Sequence, residues 1–414
     1  MVSRSNLLPQ ATDYESGLED SYSGPERLLE ELEVSIVIPC LDEVETVGNC
    51  VRVARVAIES AGVTGEVIVA DNGSSDGSIE LAEQEGARIV HVRDRGYGNA
   101  LMGGIRAARG RYILMGDADM SYDFGELPKF LEKLRSGDNL VMGCRLETGG
   151  GTVTPGAMPV LHRWIGNPFF SFLVRLFFKA PINDVNCGLR GFSKRMWKEL
   201  DQRCTGMEFA VEMVLKSALR GESIGEVPIT LHKDGRISRA PHLRTFRDGW
   251  RTLRFFLISS PRWLFLYPGL FLVFFGLLGY ALSLPAMKIG SIGLDVHTLL
   301  LSTCSILMGY QAILFSVSAK TFAITEGLLP EDPKFNQLYK YFNLERGLIA
   351  GVLGMVLGVG LIGVILAKWW QVGFGDLDYR YGLRLAIPGV LLLTLGFQTI
   401  LASFFLSILG MRHR

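Results

Sequence analysis

Two aspartates stand one residue apart, Asp117 and Asp119, in the run Gly116-Asp117-Ala118-Asp119. Paired carboxylates at that spacing, placed after a strand, offer hard oxygen donors to Mg2+ or Mn2+, which completes its shell with substrate phosphates and water. A cation so held offsets charge on a departing diphosphate. Alone the pair is a weak signal, since it arises by chance in most chains of this length. A second polar cluster, residues 71–77 (DNGSSDG), joins an acid to residues that make tight turns. It reads either as a base- or ribose-binding loop or as an ordinary turn with a helix cap near Ser78.

The elements around these clusters give them meaning. Val34–Pro39 (VSIVIP) is a short apolar, β-rich run of the kind found in buried parallel strands. A helical stretch follows at 44–61, a strand at Glu66–Ala70, a helix at 78–86 and a strand at Arg88–Val92. A helix at Ala100–Ala108 and a strand at Arg111–Met115 complete the series. Strand and helix alternating in this way predict an α/β domain with a parallel sheet. Ligands of such sheets bind outside the carboxyl ends of the strands. Both polar clusters fall there, and that coincidence weighs more than either motif.

The chain has 414 residues, with lysine plus arginine equal to aspartate plus glutamate at 42 each, so net charge points to no class of partner. No nucleic-acid partner is expected. Residues 1–32 are polar and acid-leaning and offer little to bury, which predicts a disordered tail. No apolar run lies near Met1, so no cleaved signal peptide is expected. The six cysteines are scattered without a CxxC pair, which argues against a zinc or redox motif and for small buried residues.

From 263 onward the composition changes. The stretches 263–284, 297–319, 347–367 and 385–409 are each long and apolar enough to cross a bilayer, which takes about 20 residues. Arg236, Arg239, Arg244, Arg247, Arg251, Arg254 and Arg262 precede the first stretch. Lys320, Lys334, Lys340 and Arg346 lie between the second and third, and Arg412-His413-Arg414 closes the chain. Four spans put these regions on one side, which the positive-inside rule makes cytoplasmic, although 368–384 also holds Lys368, Arg380 and Arg384. Residues 240–258 interleave arginines with Phe246, Trp250, Leu253 and Phe256, as in a helix lying in the interface. Residues 164–179 (WIGNPFFSFLVRLFFK) read either as a second membrane-dipping helix or as a core helix.

With these features in view, IVIPCLDE (36–43), ADNGSSDGS (70–78), GYGNALMGGIRAARG (96–110) and GDADMSYDF (116–124) resemble the GT-A core of glycosyltransferase family 2. VMGCRLETGG (141–150) and NDVNCGLRGFSK (183–194) resemble its dolichol-phosphate mannose synthase and polyisoprenyl-phosphate branch. The resemblance spans about residues 34–255. It implies an α/β, Rossmann-like GT-A nucleotide-sugar domain followed by an all-α region of four transmembrane helices. The expected division is a tail at 1–32, the GT-A domain at 33–235, a basic interfacial segment at 236–262 and the membrane region at 263–414.

The resemblance also implies roles. Pro39, Asp42 and Glu43 would touch the nucleotide, Asp71 the base, and Asp117 and Asp119 the diphosphate and metal. Gly73, Ser74 and Ala118 flank these residues and are assigned to the same donor site. Arg145 would bind donor or acceptor phosphate, the alternative being a salt bridge to a nearby acid. Arg163, with Asn167 one turn later, would bind acceptor phosphate, the alternative being a lipid headgroup. Asp184 and Arg190 match the family's D…GFR pattern and are assigned to substrate binding. Arg236, Arg239 and Arg244 form either a basic flap over the diphosphate or a patch drawn to anionic lipid.

Three positions depart from the pattern. Ser121 stands where the family often has a metal-contacting glutamine, Asn72 replaces a second aspartate, and Arg95–Ala100 lacks a lysine. The expected activity is inverting transfer of one hexose from a GDP-mannose or UDP-glucose type donor to a polyisoprenyl phosphate, at the cytoplasmic face of the plasma membrane. Rival readings are a processive polysaccharide synthase, though Ser259-Ser260-Pro261-Arg262-Trp263 lacks the glutamine of QxxRW, a non-catalytic membrane scaffold, and a nucleotidyltransferase. Neither the sugar nor the oligomeric state is legible.

Overall fold

The structure is a computed structural model that describes residues 32–237, 245–285, 287–289, 292–327, 329–330, 332–333, 335, 337 and 343–410. The predicted tail, Leu32 excepted, lies outside the described residues, as do Arg239, Arg244, Lys334, Lys340 and 411–414.

The predicted strands and helices form. Strand β1 (Val34–Cys40) pairs in parallel with β2 (Gly65–Asp71) and β4 (Tyr112–Met115), and β2 with β3 (Arg88–His91). The intervening helices are α1 (Val47–Ser60), α2 (Ser78–Gln84) and α3 (Tyr97–Ala107). In α1 the buried Val47, Cys50, Val51, Ala54 and Ile58 recur at helical spacing, which turns one face to the sheet. Helix α4 (Leu127–Arg135) leads to β5 (Leu140–Cys144), and a short β6 (Thr152–Val153) follows. Next come α5 (Asn167–Phe178), β7 (Arg190–Ser193), α6 (Lys194–Leu200), α7 (Glu208–Arg220), β8 (Ile224–Pro228) and β9 (Thr230–Leu231).

The main sheet has seven strands in the order β3-β2-β1-β4-β7-β5-β8. It is parallel except for β7, which runs against both β4 and β5. Alternate residues face opposite sides. Ile36 and Ile38 pack with α1 and α4, while Val37 and Ile68 pack with α3, α5 and α7.

Residues 160–178 bend through a wide π-type turn at His162–Gly166, just before Pro168, which has no N–H to close a normal turn. Ser171, Leu173, Val174 and Phe178 are buried, while Trp164, Ile165, Phe169 and Phe172 are exposed. A helix held inside a core would not leave that second apolar row open, so the interfacial reading has the better support. Helix α8 (Thr245–Ser259) buries Phe256 completely and leaves Trp250 62% exposed.

Among the described residues, four helical stretches are long and apolar enough to span a membrane: Arg262–Ser283, Val296–Thr325, Leu344–Gln371 and Tyr379–Gly410. Each overlaps a predicted span and runs past it at one end or both. Their helices are α9 (Tyr267–Ser283), α10 (Val296–Thr325), α11 (Leu344–Gln371) and α12 (Tyr379–Gly410). Glycines allow close approach between them. A Cβ at Gly396 would lie 2.5 Å from the Gly351 carbonyl, and one at Gly269 2.8 Å from that of Gly309. The stretches alternate in direction. Arg262 pairs with Asp332 and Thr325 Oγ1 donates to the Leu409 carbonyl at one end, while Arg384 pairs with Asp295 at the other. The α/β domain meets the first of these ends, where Phe177 stacks on Trp263 with ring centroids 5.0 Å apart.

Candidate active site

The site lies at the carboxyl edge of β1, β2 and β4. Asp71 ends β2, and Asp117 and Asp119 follow β4; with β1 between them, the two strands are two spacings apart, about 10 Å.

Loop 71–77 is built around carboxylates that accept backbone N–H groups. Asp71 Oδ1 accepts from Ser74 N at 2.9 Å and Oδ2 from Gly73 N at 3.1 Å. Burial pushes the Asp71 carboxyl up, but hydrogen bonds from Ser74 and Gly73 and the contact with His91 hold it below the usual range, so it is charged. Asp42, in the left-handed region at φ 57°, accepts from Ser75 N at 2.8 Å, and its own N–H donates to Ser74 Oγ at 2.9 Å. Pro39 is partly exposed on β1 near this edge. Asn72 has a structural task. Its amide donates to the carbonyls of Val92 and Asp94, and its Oδ1 accepts from Gly96 N at 2.7 Å. An aspartate there could not donate.

Asp117 and Asp119 are both partly exposed. Tyr97 Oη donates to Asp117 Oδ1 at 2.9 Å. A Cβ at residue 188 would lie 2.8 Å from Asp117 Oδ2, so Gly188 leaves that oxygen its space. Burial, then the charge of Asp119, pushes the Asp117 carboxyl up to about 7. Asp119 Oδ1 accepts from Ser121 N at 3.0 Å and Ser121 Oγ at 2.5 Å. Ser121 thus orients Asp119 where the family's glutamine would reach for metal.

Arg236 closes the cluster. Its guanidinium meets buried Glu43 at 2.7 Å, Asp234 at 3.1 Å and Asp119 Oδ2 at 3.6 Å. The chain after β9 runs over the aspartates, with Gly235 N donating to the Asp119 carbonyl at 2.8 Å and His232 N to that of Ser121 at 2.9 Å.

These groups fit a divalent cation. The donors are hard carboxylate oxygens, Asp117 Oδ2 faces Gly188 rather than a larger side chain, and mutual repulsion calls for positive charge, here met by Arg236. Among the described residues no group of three or more His, Cys, Asp or Glu side chains forms a ready cage, so phosphate and water oxygens would have to complete the shell.

Other predicted residues stand elsewhere. Arg145 is 8% exposed and Asp184 fully buried; Arg145 Nε and Nη2 bond both Asp184 oxygens at 2.7 and 2.8 Å, and Nη1 reaches Tyr122 Oη at 3.3 Å. The salt-bridge alternative for Arg145 is therefore the observed arrangement. Asp184, expected to touch substrate, has both its oxygens bonded to Arg145. Arg190, also expected at the substrate, is turned inward. It is fully buried, and its Nε, Nη1 and Nη2 donate to the carbonyls of Cys187, Ala210 and Val185. Ala118 is 3% exposed and packs in the core between the two aspartates. Arg163 pairs with exposed Glu147 at the start of the apolar row, and Asn167 is bonded to Asn186 at 3.0 Å.

Sequence reasoning missed Tyr97, Asp234 and Gly188. For Tyr97 a signal existed, a tyrosine flanked by glycines at the carboxyl edge where a lysine was missing.

A mostly parallel α/β sheet with paired carboxylates at its carboxyl edge, joined to four apolar helices, defines a GT-A-type, multi-pass membrane protein. The family model described as Glycosyl transferase family 2 matches residues 35–200, and that described as Glycosyltransferase family 2 C-terminal transmembrane region matches 317–410. The low-salt glycan biosynthesis hexosyltransferase Agl6 of Haloferax volcanii is 35% identical over 407 residues, covering 97% of this chain and 96% of that protein. The chain belongs to glycosyltransferase family 2. A dolichyl-phosphate hexose transferase of the same organism is 32% identical over 165 residues, 40% of this chain and 68% of that protein. Glucosyl-3-phosphoglycerate synthase from Mycobacterium tuberculosis, solved with Mn2+, uridine diphosphate and phosphoglyceric acid, matches with a TM-score of 0.43 and 20% identity, over 55% of this chain and 78% of that one.

Proposed function

We propose that the protein transfers one hexose, from a donor of the GDP-mannose or UDP-glucose type, to a polyisoprenyl phosphate with inversion at the anomeric carbon. The observation that carries this reading is the carboxylate pair Asp117 and Asp119 in a domain that also presents the apolar row Trp164, Ile165, Phe169 and Phe172 and joins four apolar helices. A water-soluble acceptor would need neither feature. The name of the 32% identical relative adds support.

The acceptor phosphate is already an anionic nucleophile, so no strong general base is required. Its oxygen attacks the anomeric carbon, the bond to the donor diphosphate breaks, and the nucleoside diphosphate leaves with the electron pair. Asp117 and Asp119 would hold Mg2+ or Mn2+, which supplies positive charge to the leaving diphosphate. Asp71 and the 71–77 loop receive the nucleoside, with Asp42 pinning the loop. Arg236 exchanges its carboxylates for donor phosphate. Arg163 would orient the lipid phosphate, where a planar guanidinium gives two parallel hydrogen bonds. Arg145 acts indirectly, as a positive charge near Asp117. Basic residues at the helix ends nearest the α/β domain support a cytoplasmic site, and the plasma membrane is the proposed location.

The test adds radiolabelled GDP-mannose or UDP-glucose and undecaprenyl or dolichyl phosphate to membranes carrying the protein. Label is expected in the organic phase, and Asp119→Ala is expected to abolish it with folding intact. Label that never leaves the aqueous phase, from protein that still binds donor, refutes the reading.

A further inference from the structure

The loop 201–206 between α6 and α7 lies outside the proposed chemistry, yet it is tied down unusually well. Glu212, 4% exposed on α7, accepts from Arg203 N at 3.1 and 3.0 Å and Cys204 N at 2.9 Å. Lys216, 7% exposed, pairs with Glu212 at 2.8 Å and donates to the Asp201 carbonyl at 2.6 Å. A buried ion pair is a poor source of net stability. Here both members are spent on fixing the backbone of one loop.

That loop reaches in two directions. Inward, the Thr205 carbonyl accepts from Asn99 N at 3.3 Å. A Cβ at Gly96 would lie 2.5 Å from Thr205 O, and one at Gly98 2.4 Å from Cys204 O. The turn between these two glycines carries Tyr97, whose hydroxyl holds Asp117. Outward, Arg203 Nη1 donates at 2.9 Å to the carbonyl of Glu326, the residue that caps the C-terminus of α10. A C-terminal carbonyl lacks a helical partner and carries the negative end of the helix dipole, so a guanidinium suits it. Asp201 braces the same guanidinium at 3.0 and 2.7 Å. A Cβ at Gly327 would lie 3.2 Å from Arg203 Nη2.

We propose that Arg203 is a positioning residue: it seats loop 201–206 on the end of the second membrane span, and the loop in turn sets Tyr97 and the orientation of Asp117. The proposal rests on the reading of Asp117 as a cation-holding carboxylate. It assigns α10 a part in shaping the site beyond anchoring.

The experiment measures Mn2+ affinity by electron paramagnetic resonance of free Mn2+, using full-length protein in nanodiscs without donor. Removing an outer-shell partner of a ligand typically weakens metal binding about 10–100-fold, so Tyr97→Phe is expected near tenfold. Arg203→Ala, one step further out, is expected at roughly three- to tenfold, with Arg203→Lys recovering part of the loss. The double variant should bind no more weakly than Tyr97→Phe alone, because the effect runs through that hydroxyl. An unchanged Mn2+ affinity in Arg203→Ala overturns the proposal, as do losses that multiply in the double variant. Asp201→Asn, at an exposed brace of the same guanidinium, gives the same test should Arg203→Ala melt early. Asp117→Asn binding Mn2+ like wild type refutes the cation reading itself, a result distinct from failure of the Arg203 link.

Discussion

Asp184→Asn isolates the buried pair that sequence patterns assigned to substrate. Asp184 is fully buried and accepts three hydrogen bonds from Arg145, from its N at 3.1 Å, its Nε at 2.7 Å and its Nη2 at 2.8 Å. The asparagine keeps one acceptor oxygen, loses the charge and turns an NH2 donor toward a guanidinium that only donates. Breaking one side of a buried ion pair costs about 3–5 kcal/mol. For a domain of some 200 residues, about 1 kcal/mol moves the melting temperature by roughly 2–4 °C, so a fall of about 6–20 °C is expected. Arg145→Met in the same chain removes the stranded cation, and the double variant should recover part of that loss, because no unpaired charge stays buried although the new amide keeps an unpaired N–H. The assay is thermal unfolding in one detergent at one pH, with transfer measured alongside. Recovery of stability without recovery of activity is the expected result, since the positive charge near Asp117 is gone. A single variant that melts within a degree of wild type, or a double variant no more stable than the single, refutes the reasoning.

Further expectations concern the site itself. Burial and Asp119 raise Asp117 to about 7, so folding favours its protonated form. That contribution is complete below the ordinary aspartate range and is lost as pH rises through about 7. Wild type in EDTA should therefore lose stability from pH 5 to 8 relative to Asp117→Asn, and parallel melting profiles would refute this. Arg236→Ala removes the cation facing Glu43, Asp234 and Asp119, so Mn2+ should bind a few-fold more tightly without donor while transfer falls; weaker Mn2+ binding would count against a shared site. Gly188→Ala puts a methyl group 2.8 Å from Asp117 Oδ2. Its kcat/KM should drop at least tenfold, with about 1–3 kcal/mol lost from overpacking. Trp164→Ser with Phe172→Ser should raise the KM for a long-chain polyisoprenyl phosphate about tenfold or more and leave the donor KM within twofold, since two large apolar side chains leave the exposed row. Equal effects on both substrates would refute a lipid-facing role.

Local pattern carried much of this protein. The apolar runs of β1, β2 and β4, the turn residues at 71–77, the position of Asp117 and Asp119 at a strand end and the four spans were all legible. Each depends on periodicity or composition within about twenty residues, which the chain itself displays. Tertiary structure decided what those groups meet. Arg236 reaches Glu43 across 193 residues of chain, Arg145 reaches Asp184 across 39, and Arg203 reaches Glu326 across 123. No local rule fixes such pairings, because they follow from how strands order in the sheet and how the domain seats on the helices. The antiparallel β7 belongs to the same class, since its four residues show no period that reveals direction. A motif arginine or aspartate therefore showed its chemical type in the sequence, while its exposure, and so its freedom to touch a substrate, was set only when the chain closed around it.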